Sequence, residues 1–288
     1  MTSDVQGDVV ATLANSPYLL DNVDIHGSLR IEAGVVFHWR SADHIIFIFG
    51  DLEVGEGSAI QCVFTSPGYT QLNVLGRTRV LGTPSEPITF GRENGGFNNA
   101  CILSLGSADI HYARFSSNLL RVGASTTIRD SIFDLHSEAN DRSWIVTATG
   151  APADDVVIEY NRFVRTSIRG HGYSARHNDF QGSSGGTSIE VSSGFLSSSA
   201  CAGDRDTDPA IVLRDNVFAA DAGDEIFSVH RAFGPVDFSG NYFASGLHPE
   251  EWDDWNGGSE GCPDGLGAYG GPITGAPALN VPPTVGPR

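Results

Sequence analysis

The sequence contains no lysine and a single methionine among its 288 residues. All 17 basic side chains are therefore arginines, and the 35 acidic residues leave a formal net charge of −18 at pH 7. A surface of that sign repels nucleic acids and anionic membranes at long range, so neither is expected as a partner. The chain also lacks an apolar run of about 18 residues, which a membrane-spanning helix would need. No transmembrane segment is predicted.

Cysteine is scarce, and its spacing excludes one class of metal site. The four cysteines form no CxxC pair of the kind that binds zinc. Cys62 and Cys101 lie in apolar segments and are predicted to be buried thiols. Cys201 and Cys262 lie in loops rich in Ser, Gly and Asp, where they could form a disulfide. Such a bond would favour an oxidising compartment, so a secreted or cell-surface location is expected.

Glycine, by contrast, is abundant and recurs at a regular period. An apolar segment, a glycine and an alternating stretch ending in Ile or Val recur every 23 to 30 residues, at Gly27, Gly50, Gly76 and Gly106. This period is too long for successive hairpins. It favours a solenoid, in which each repeat contributes one coil and contacts its neighbours.

A second repeat, apolar-x-x-Asn-x-Phe, occupies the later half of the chain. Its Asn and Phe positions are Asn161 and Phe163, Asn178 and Phe180, Asn216 and Phe218, and Asn241 and Phe243, with looser copies that carry Ala113 before Phe115 and Ser131 before Phe133. Each unit is too short to bury a face alone, so the units are predicted to stack about 4.8 Å apart. Phenylalanines would then fill the interior, and asparagines at a bend would bond the backbone of neighbouring coils. This is the arrangement of a right-handed parallel β-helix.

Several stretches carry a resemblance to a known family. They are SPYLLDNVDIHGSLRIEAGVVFHW at 16–39, GDLEVGEGSAI at 50–60, VLGTPSEPITF at 80–90 and the ending GLGAYGGP at 265–272. In these stretches the chain resembles secreted bacterial right-handed parallel β-helix proteins of the pectin-lyase-like superfamily. The family includes polysaccharide lyases, hydrolases, epimerases and adhesins, so the resemblance implies a fold more firmly than an activity.

The expected fold is all-β, a single-stranded right-handed parallel β-helix of about nine coils. Residues 1–15 would form an N-terminal cap, residues 16–245 the β-helix, and residues 246–288 a C-terminal capping segment with a flexible Pro/Gly-rich tail.

Ligands of the resembled family lie along a groove on one parallel sheet, and strand alternation predicts which side chains face it. One outward column is predicted to be Ser104, Arg121, Thr147, Arg169, Glu190 and Ser228, and the next Gly106, Gly123, Thr149, His171, Ser192 and His230. Arg169, His171, Glu190 and His230 would gather on neighbouring coils and are the candidate catalytic residues. Candidate substrate-binding residues are Arg121, Thr147, Thr149, Ser192 and Ser228. An exposed strand face carrying ordinary polar residues is the alternative.

The triplet Gly170-His171-Gly172 resembles the His motif of polygalacturonase-type hydrolases. Those enzymes also require an Asn-Thr-Asp segment upstream and an Arg-Ile-Lys segment downstream, and a chain without lysine has no Arg-Ile-Lys. Inverting hydrolysis needs two carboxyl groups about 6.5–9.5 Å apart, whereas the predicted column supplies only Glu190. A lyase is therefore favoured over a glycoside hydrolase, because elimination needs a base such as His171 and a cation to neutralise a uronate.

A calcium site is the one cofactor that the sequence suggests. Asp204, Asp206 and Asp208 alternate as in a calcium-binding loop, although Pro209 stands where such loops carry glycine. A solvated acidic loop is the alternative. The expected function is an extracellular carbohydrate-binding or polysaccharide-processing, lyase-like protein whose partner is a polysaccharide or cell-surface glycan. The other candidate is a non-catalytic cell-surface, adhesin or appendage protein.

Overall fold

The regular structure of the chain is built almost entirely from short β-strands. The computed structural model describes residues 4–40, 45–63, 69–92, 100–116, 118–134, 143–147, 155–164, 166–169, 172–181, 189–191, 211–219, 227–229, 236–237, 239–244, 273–274 and 283–288. Within these residues the only helical turn is a 3-10 turn at Leu13–Asn15. None of the described residues belongs to a helix long and apolar enough to cross a membrane.

The strands follow one another at short intervals. The first fifteen are β1 Val5–Gln6, β2 Val9–Ala11, β3 Tyr18–Asp21, β4 Ile25–His26, β5 Leu29–Ile31, β6 Val36–Arg40, β7 Ile46–Ile48, β8 Leu52–Val54, β9 Ala59–Cys62, β10 Tyr69–Leu81, β11 Ile88–Arg92, β12 Ala100–His111, β13 Ala113–Ser116, β14 Asn118–Val122 and β15 Thr126–Arg129. The others are β16 Ile132–Asp134, β17 Ser143–Thr147, β18 Val156–Glu159, β19 Arg162–Val164, β20 Thr166–Arg169, β21 Ser174–Arg176, β22 Asp179–Gln181, β23 Ile189–Val191, β24 Ile211–Arg214, β25 Val217–Phe218, β26 Phe227–Val229, β27 Val236–Asp237, β28 Tyr242–Phe243 and β29 Ile273–Thr274.

These strands form three parallel stacks, here called faces. Face 1 contains β1, β4, β7, the first half of β10, the first half of β12, β14, β17, β20, β23 and β26. Face 2 contains β2, β5, β8, the second halves of β10 and β12, β15, β18, β21, β24, β27 and β29. Face 3 contains β3, β6, β9, β11, β13, β16, β19, β22, β25 and β28.

Within the described residues, faces 1 and 2 make up one nineteen-stranded sheet, and face 3 is a separate ten-stranded sheet. The chain visits the three faces in turn, and each strand pairs with the strand one circuit later. The predicted all-β, parallel architecture is confirmed, and its arrangement is consistent with a parallel β-solenoid.

A row of stacked phenylalanines fills the interior behind face 3. Their ring centroids are 4.7 to 5.1 Å apart, and each ring is at most 3% exposed, for Phe90, Phe115, Phe133, Phe163, Phe180 and Phe218. The spacing equals the separation of adjacent strands, so each turn contributes one ring. The predicted phenylalanine stack is confirmed.

A ladder of buried asparagines lies at the bend between faces 2 and 3. Both the backbone N–H and the side-chain Nδ2 of Asn161 donate to Asn178 Oδ1, at 2.9 and 3.1 Å. The same pair of bonds runs from Asn178 to Asn216 and from Asn216 to Asn241. Each Nδ2 also donates to a carbonyl of face 2, as from Asn178 to Ile158 at 2.9 Å. All four asparagines are fully buried, and the predicted ladder is confirmed.

The residue before each ladder position has a left-handed backbone. The φ angles of Asp130, Tyr160, His177 and Asp215 lie between 50° and 57°. This conformation is uncommon for residues other than glycine and turns the chain sharply within two residues. The side chains at these positions therefore project from the same edge of the solenoid, turn after turn. We call Asp130, Tyr160 and His177 the corner edge.

Glycine is required at the bend between faces 1 and 2. A Cβ added at Gly50 would lie 2.7 Å from the backbone carbon of Gly27 and equally close to the backbone nitrogen of Ser28, both in the preceding turn. This close stacking explains the glycine period. A β-bulge interrupts this repeat between Val74 and Arg77. Leu75 and Gly76 there lie opposite a single residue of the next strand on the same face. Leu75 is consequently exposed.

Cys62 and Cys101 are joined by a disulfide, which corrects the prediction of free thiols. Both residues are fully buried, as predicted, and their Cα atoms are 6.2 Å apart, within the usual range for a disulfide. Cys62 ends a strand of face 3, and Cys101 lies near the start of a strand of face 1. The bond therefore fastens these two faces together.

Replacing both Cys62 and Cys101 with serine should lower the free energy of unfolding. A loop of 39 residues is no longer cross-linked in the unfolded chain, so the expected loss is about 2–4 kcal/mol. Denaturant unfolding with and without reductant measures this. Reductant should destabilise the unsubstituted protein more than the double variant, by about this amount; equal responses of the two to reductant would contradict the bond.

Candidate functional site

One position of each strand at the middle of face 1 lines up across the sheet. Strand pairing aligns Phe47, Asn73, Ser104, Arg121, Val146, Arg169, Glu190 and Ser228, which we call the outer column. The register agrees with the predicted column at Ser104, Arg121, Arg169, Glu190 and Ser228. For Arg169, Glu190 and Ser228 this agreement concerns the pairing of their strands.

One residue of the predicted column is misplaced. Thr147 pairs with Val122, which is buried, and Val146 pairs with Arg121. The sequence prediction was one residue out of register on this strand. Ile145 and Val146 are both apolar, so alternation alone does not show which of them faces inward, and a shift by one residue exchanges the two surfaces of a strand.

The described polar side chains of the outer column lie between buried apolar neighbours. Asn73, Ser104 and Arg121 are each half-buried, whereas the residues on either side of each are in the core. Next to this column, Gln71 Nε2 donates to Asn73 Oδ1 at 2.7 Å. These contacts present amide, hydroxyl and guanidinium groups on one surface. Such groups donate and accept hydrogen bonds of the kind that a polyhydroxylated ligand requires.

An aromatic patch lies at one end of the outer column. Phe49 is 45% exposed, its ring stacks on His26 with a centroid distance of 4.7 Å, and its centroid lies 5.8 Å from that of Phe47. His26 Nε2 lies 3.3 Å from Asp4 Oδ2. The aromatic patch, formed by His26, Phe47 and Phe49, therefore offers flat aromatic rings beside a polar surface.

Sequence reasoning missed the aromatic patch and the pair Gln71 and Asn73. Phe49 immediately precedes Gly50 and was interpreted as part of the apolar repeat. Asn73 was missed because the bulge at Leu75 and Gly76 displaces it by one residue from its counterpart Ser104. Pairing Ile48 with Val74 would have revealed this surface, because the preceding residues, Phe47 and Asn73, then align.

Two glycines border the outer column near its centre. A Cβ on Gly106 would lie 3.2 Å from the carbonyl oxygen of Leu75, and the N–H of Gly123 donates to Leu105 O at 3.0 Å. Both belong to the predicted second column. A Cβ on Gly123 would collide with the carbonyl oxygen of Gly106, so the close stacking of the turns requires glycine at this bend.

The outer column has the dimensions of an extended ligand. Adjacent strands are about 4.8 Å apart, so Phe47 and Arg121 are separated by roughly 14 Å, and Arg121 and Glu190 by roughly the same distance. Arg169 and Glu190 occupy directly paired positions on neighbouring strands. The column can therefore contact several consecutive units of a linear polymer.

The remaining predicted site residues lie outside the described part of the chain. They are Thr149, His171, Ser192, His230 and the calcium candidates Asp204, Asp206 and Asp208. Cys201 and Cys262 also lie outside the described residues. Among the residues that the structure does describe, no cluster of three or more His, Cys, Asp or Glu side chains could hold a metal ion.

Comparisons with known proteins add no family assignment. No protein-family model, no curated protein and no solved structure matches the chain. Any functional conclusion therefore depends on the fold and on the geometry of face 1.

Proposed function

We propose that face 1 binds an extracellular polysaccharide along its outer column. The single observation that carries this proposal is the strand register, which aligns one aromatic, five polar or basic, one apolar and one acidic position from Phe47 to Ser228. A linear polymer lying along this line would stack a sugar ring on the aromatic patch. Its hydroxyl groups would bond Asn73, Ser104 and Arg121.

The charge of the column indicates the class of sugar. Arg121 and Arg169 stand on the line against the single carboxylate of Glu190, although the whole chain carries −18. An arginine fork pairs with a carboxylate in two-pronged fashion. We therefore propose a uronate-containing polymer, whose carboxylates would meet Arg121 and Arg169.

We further propose that any catalysis is β-elimination rather than hydrolysis. His171 or His230 would remove the proton next to the uronate carboxylate, and Arg169 would neutralise that carboxylate as negative charge develops. The glycosidic C–O bond would then break, leaving a double bond in the sugar at the new non-reducing end. The histidine would return its proton, through water, to the departing oxygen, which becomes a hydroxyl. Hydrolysis is disfavoured, because the outer column holds one carboxyl group, Glu190, where two are needed.

The same proposal includes a right-handed β-helix, a pectin-lyase-like identity and a secreted or cell-surface location. Parallel strands joined through crossovers are right-handed in about 98% of cases, which supports a right-handed β-helix. A pectin-lyase-like identity and about nine coils agree with the stacked Phe and Asn repeats. The Cys62–Cys101 disulfide supports a secreted or cell-surface location, since such bonds persist in oxidising compartments.

A glycan array followed by a product assay tests this function. The unsubstituted protein should bind at least one uronate-containing polysaccharide, and a lyase should release product with the ultraviolet absorbance of an unsaturated uronate. Replacing whichever histidine acts as the base, in His171→Ala or in His230→Ala, should abolish that product while binding persists. Binding without product would establish a carbohydrate-binding protein. Absence of binding to every glycan would contradict the proposal and favour a non-catalytic surface, adhesin or appendage protein.

A further inference from the structure

A second surface, unrelated to face 1, carries its own set of contacts. It is the corner edge, where Asp130, Tyr160 and His177 project at the bend between faces 2 and 3. The rings of Tyr160 and His177 stack with centroids 4.8 Å apart and planes inclined by 9°. The edge thus presents a carboxylate followed by two parallel rings on successive turns of the chain.

Residues 283–288 lie along the corner edge and contact all three of its residues. The N–H of Gly286 donates to the carbonyl of His177 at 3.0 Å. The guanidinium carbon of Arg288 lies 3.5 Å from the centroid of the Tyr160 ring. The backbone N–H and the Nε of Arg288 both donate to Asp130 Oδ1, at 3.1 and 3.3 Å. The segment therefore crosses three turns of the solenoid lengthwise.

The contact with Arg288 satisfies a carboxylate that would otherwise be costly to bury. Asp130 is only 6% exposed, and a buried charge needs a paired cation and hydrogen bonds. Burial acts most strongly and lowers the pKa of Arg288, but the hydrogen bond to Asp130 together with the charges of Asp130, Tyr160 and Glu159 raises this pKa above its usual value. Cation–π contact with Tyr160 adds to the attraction.

Neighbouring charged side chains form ion pairs with one another. Arg129 Nε lies 2.6 Å from Glu159 Oε1, and Arg162 Nε lies 3.0 Å from Asp179 Oδ2. The second pair borders the segment, because a Cβ on Gly286 would be 3.7 Å from Asp179 Cβ. With these pairs formed, Asp130 is the carboxylate that engages Arg288.

The geometry also selects a short sequence. Gly286 has a φ of +80°, which favours glycine, and Pro287 fixes the following backbone angle near −65°. A planar guanidinium can stack on Tyr160 while it donates to Asp130, whereas the compact ammonium of lysine cannot make both contacts in the same way. The corner edge therefore suits the tripeptide Gly-Pro-Arg with a positive φ at its glycine.

We propose that the corner edge is a binding site for peptide segments that carry Gly-Pro-Arg, and that residues 283–288 of the same chain fill it in competition with such a partner. The ligand is a polypeptide, recognised by its arginine through Asp130 and Tyr160 and by its glycine through the carbonyl of His177. The site is independent of the proposed carbohydrate surface on face 1.

The test uses the full chain with Arg288→Ala and a fluorescent peptide, Thr-Val-Gly-Pro-Arg. The variant should bind this peptide at least about tenfold more tightly than the unsubstituted protein does, because the chain's own segment competes at high effective concentration. Adding Asp130→Asn to the variant should weaken binding at least about tenfold, whereas Asp155→Asn, at a half-buried acid before β18, should change it less than about twofold. A peptide with lysine in place of arginine should bind several-fold more weakly.

Folding of each variant is checked by circular dichroism and by the thermal midpoint. Arg288 has a side chain 55% exposed, so its replacement should leave the fold intact. The proposal would be overturned if a folded Arg288→Ala protein did not bind the peptide. It would also be overturned if this protein bound a peptide ending in alanine as tightly as the peptide ending in arginine. Oligomers that form in the unsubstituted protein and vanish in Arg288→Ala would identify a second copy as the partner.

Discussion

Replacing Asn178 with alanine is expected to lower the free energy of unfolding by about 3–5 kcal/mol. The asparagine is fully buried, and its loss removes the acceptor for two donors of Asn161 and the donor for Ile158 O. Each orphaned buried group costs about 1–3 kcal/mol, and partial relaxation reduces their sum. Chemical denaturation followed by circular dichroism measures the change.

A matched control for this substitution is Asn15→Ala. Asn15 is exposed, and its Nδ2 donates to Thr12 Oγ1 at 3.3 Å at the surface, so loss of this side chain should change stability by less than about 0.5 kcal/mol. Equal effects of Asn15→Ala and Asn178→Ala would contradict the ladder, because they would show that the position in the solenoid does not matter.

Replacing Phe163 with alanine should destabilise the protein by about 3–5 kcal/mol. The ring is 1% exposed and stacks between Phe133 and Phe180, with centroid distances of 5.1 and 4.8 Å. Its removal loses the transfer free energy of the ring and leaves a gap that rings on neighbouring strands cannot close without shifting their turns. Thermal and chemical unfolding both report this loss.

Phe49→Ala provides the comparison at an exposed phenylalanine. Because Phe49 is 45% exposed and lies in the aromatic patch, its removal should cost less than about 1 kcal/mol and weaken carbohydrate binding instead. Phe163→Ala should behave in the opposite way while the protein stays folded. A large stability loss from Phe49→Ala would assign that ring to the core and remove it from the site.

The stacked interior was predictable because its signal is local and repeated. Asn178 and Phe180 lie two residues apart, as do Asn161 and Phe163, so a fixed offset places each pair at the same bend of every turn. The corner is tight enough to require both the left-handed residue and the buried amide that follows it. The fold class therefore follows from short-range pattern alone.

The errors arose where neighbouring residues are chemically alike or where distant segments meet. Ile145 and Val146 are both apolar, so the register on that strand was one residue out, and the bulge at Leu75 concealed Asn73. Cys62 and Cys101 lie 39 residues apart, and only the closing of a turn brings them together. Arg288 and Asp130 are 158 residues apart in the sequence, and no local pattern predicts such a contact.

The most direct test of the carbohydrate surface compares two arginines on different faces. For the polysaccharide bound most tightly on the array, Arg121→Ala should weaken binding at least about tenfold, through loss of a charged hydrogen bond of about 1.5–3 kcal/mol. Arg114 lies exposed on face 3, and Arg114→Ala should change the affinity less than about twofold. Titration calorimetry of both variants decides the matter: a selective loss at Arg121 supports the surface, and equal affinities would contradict it.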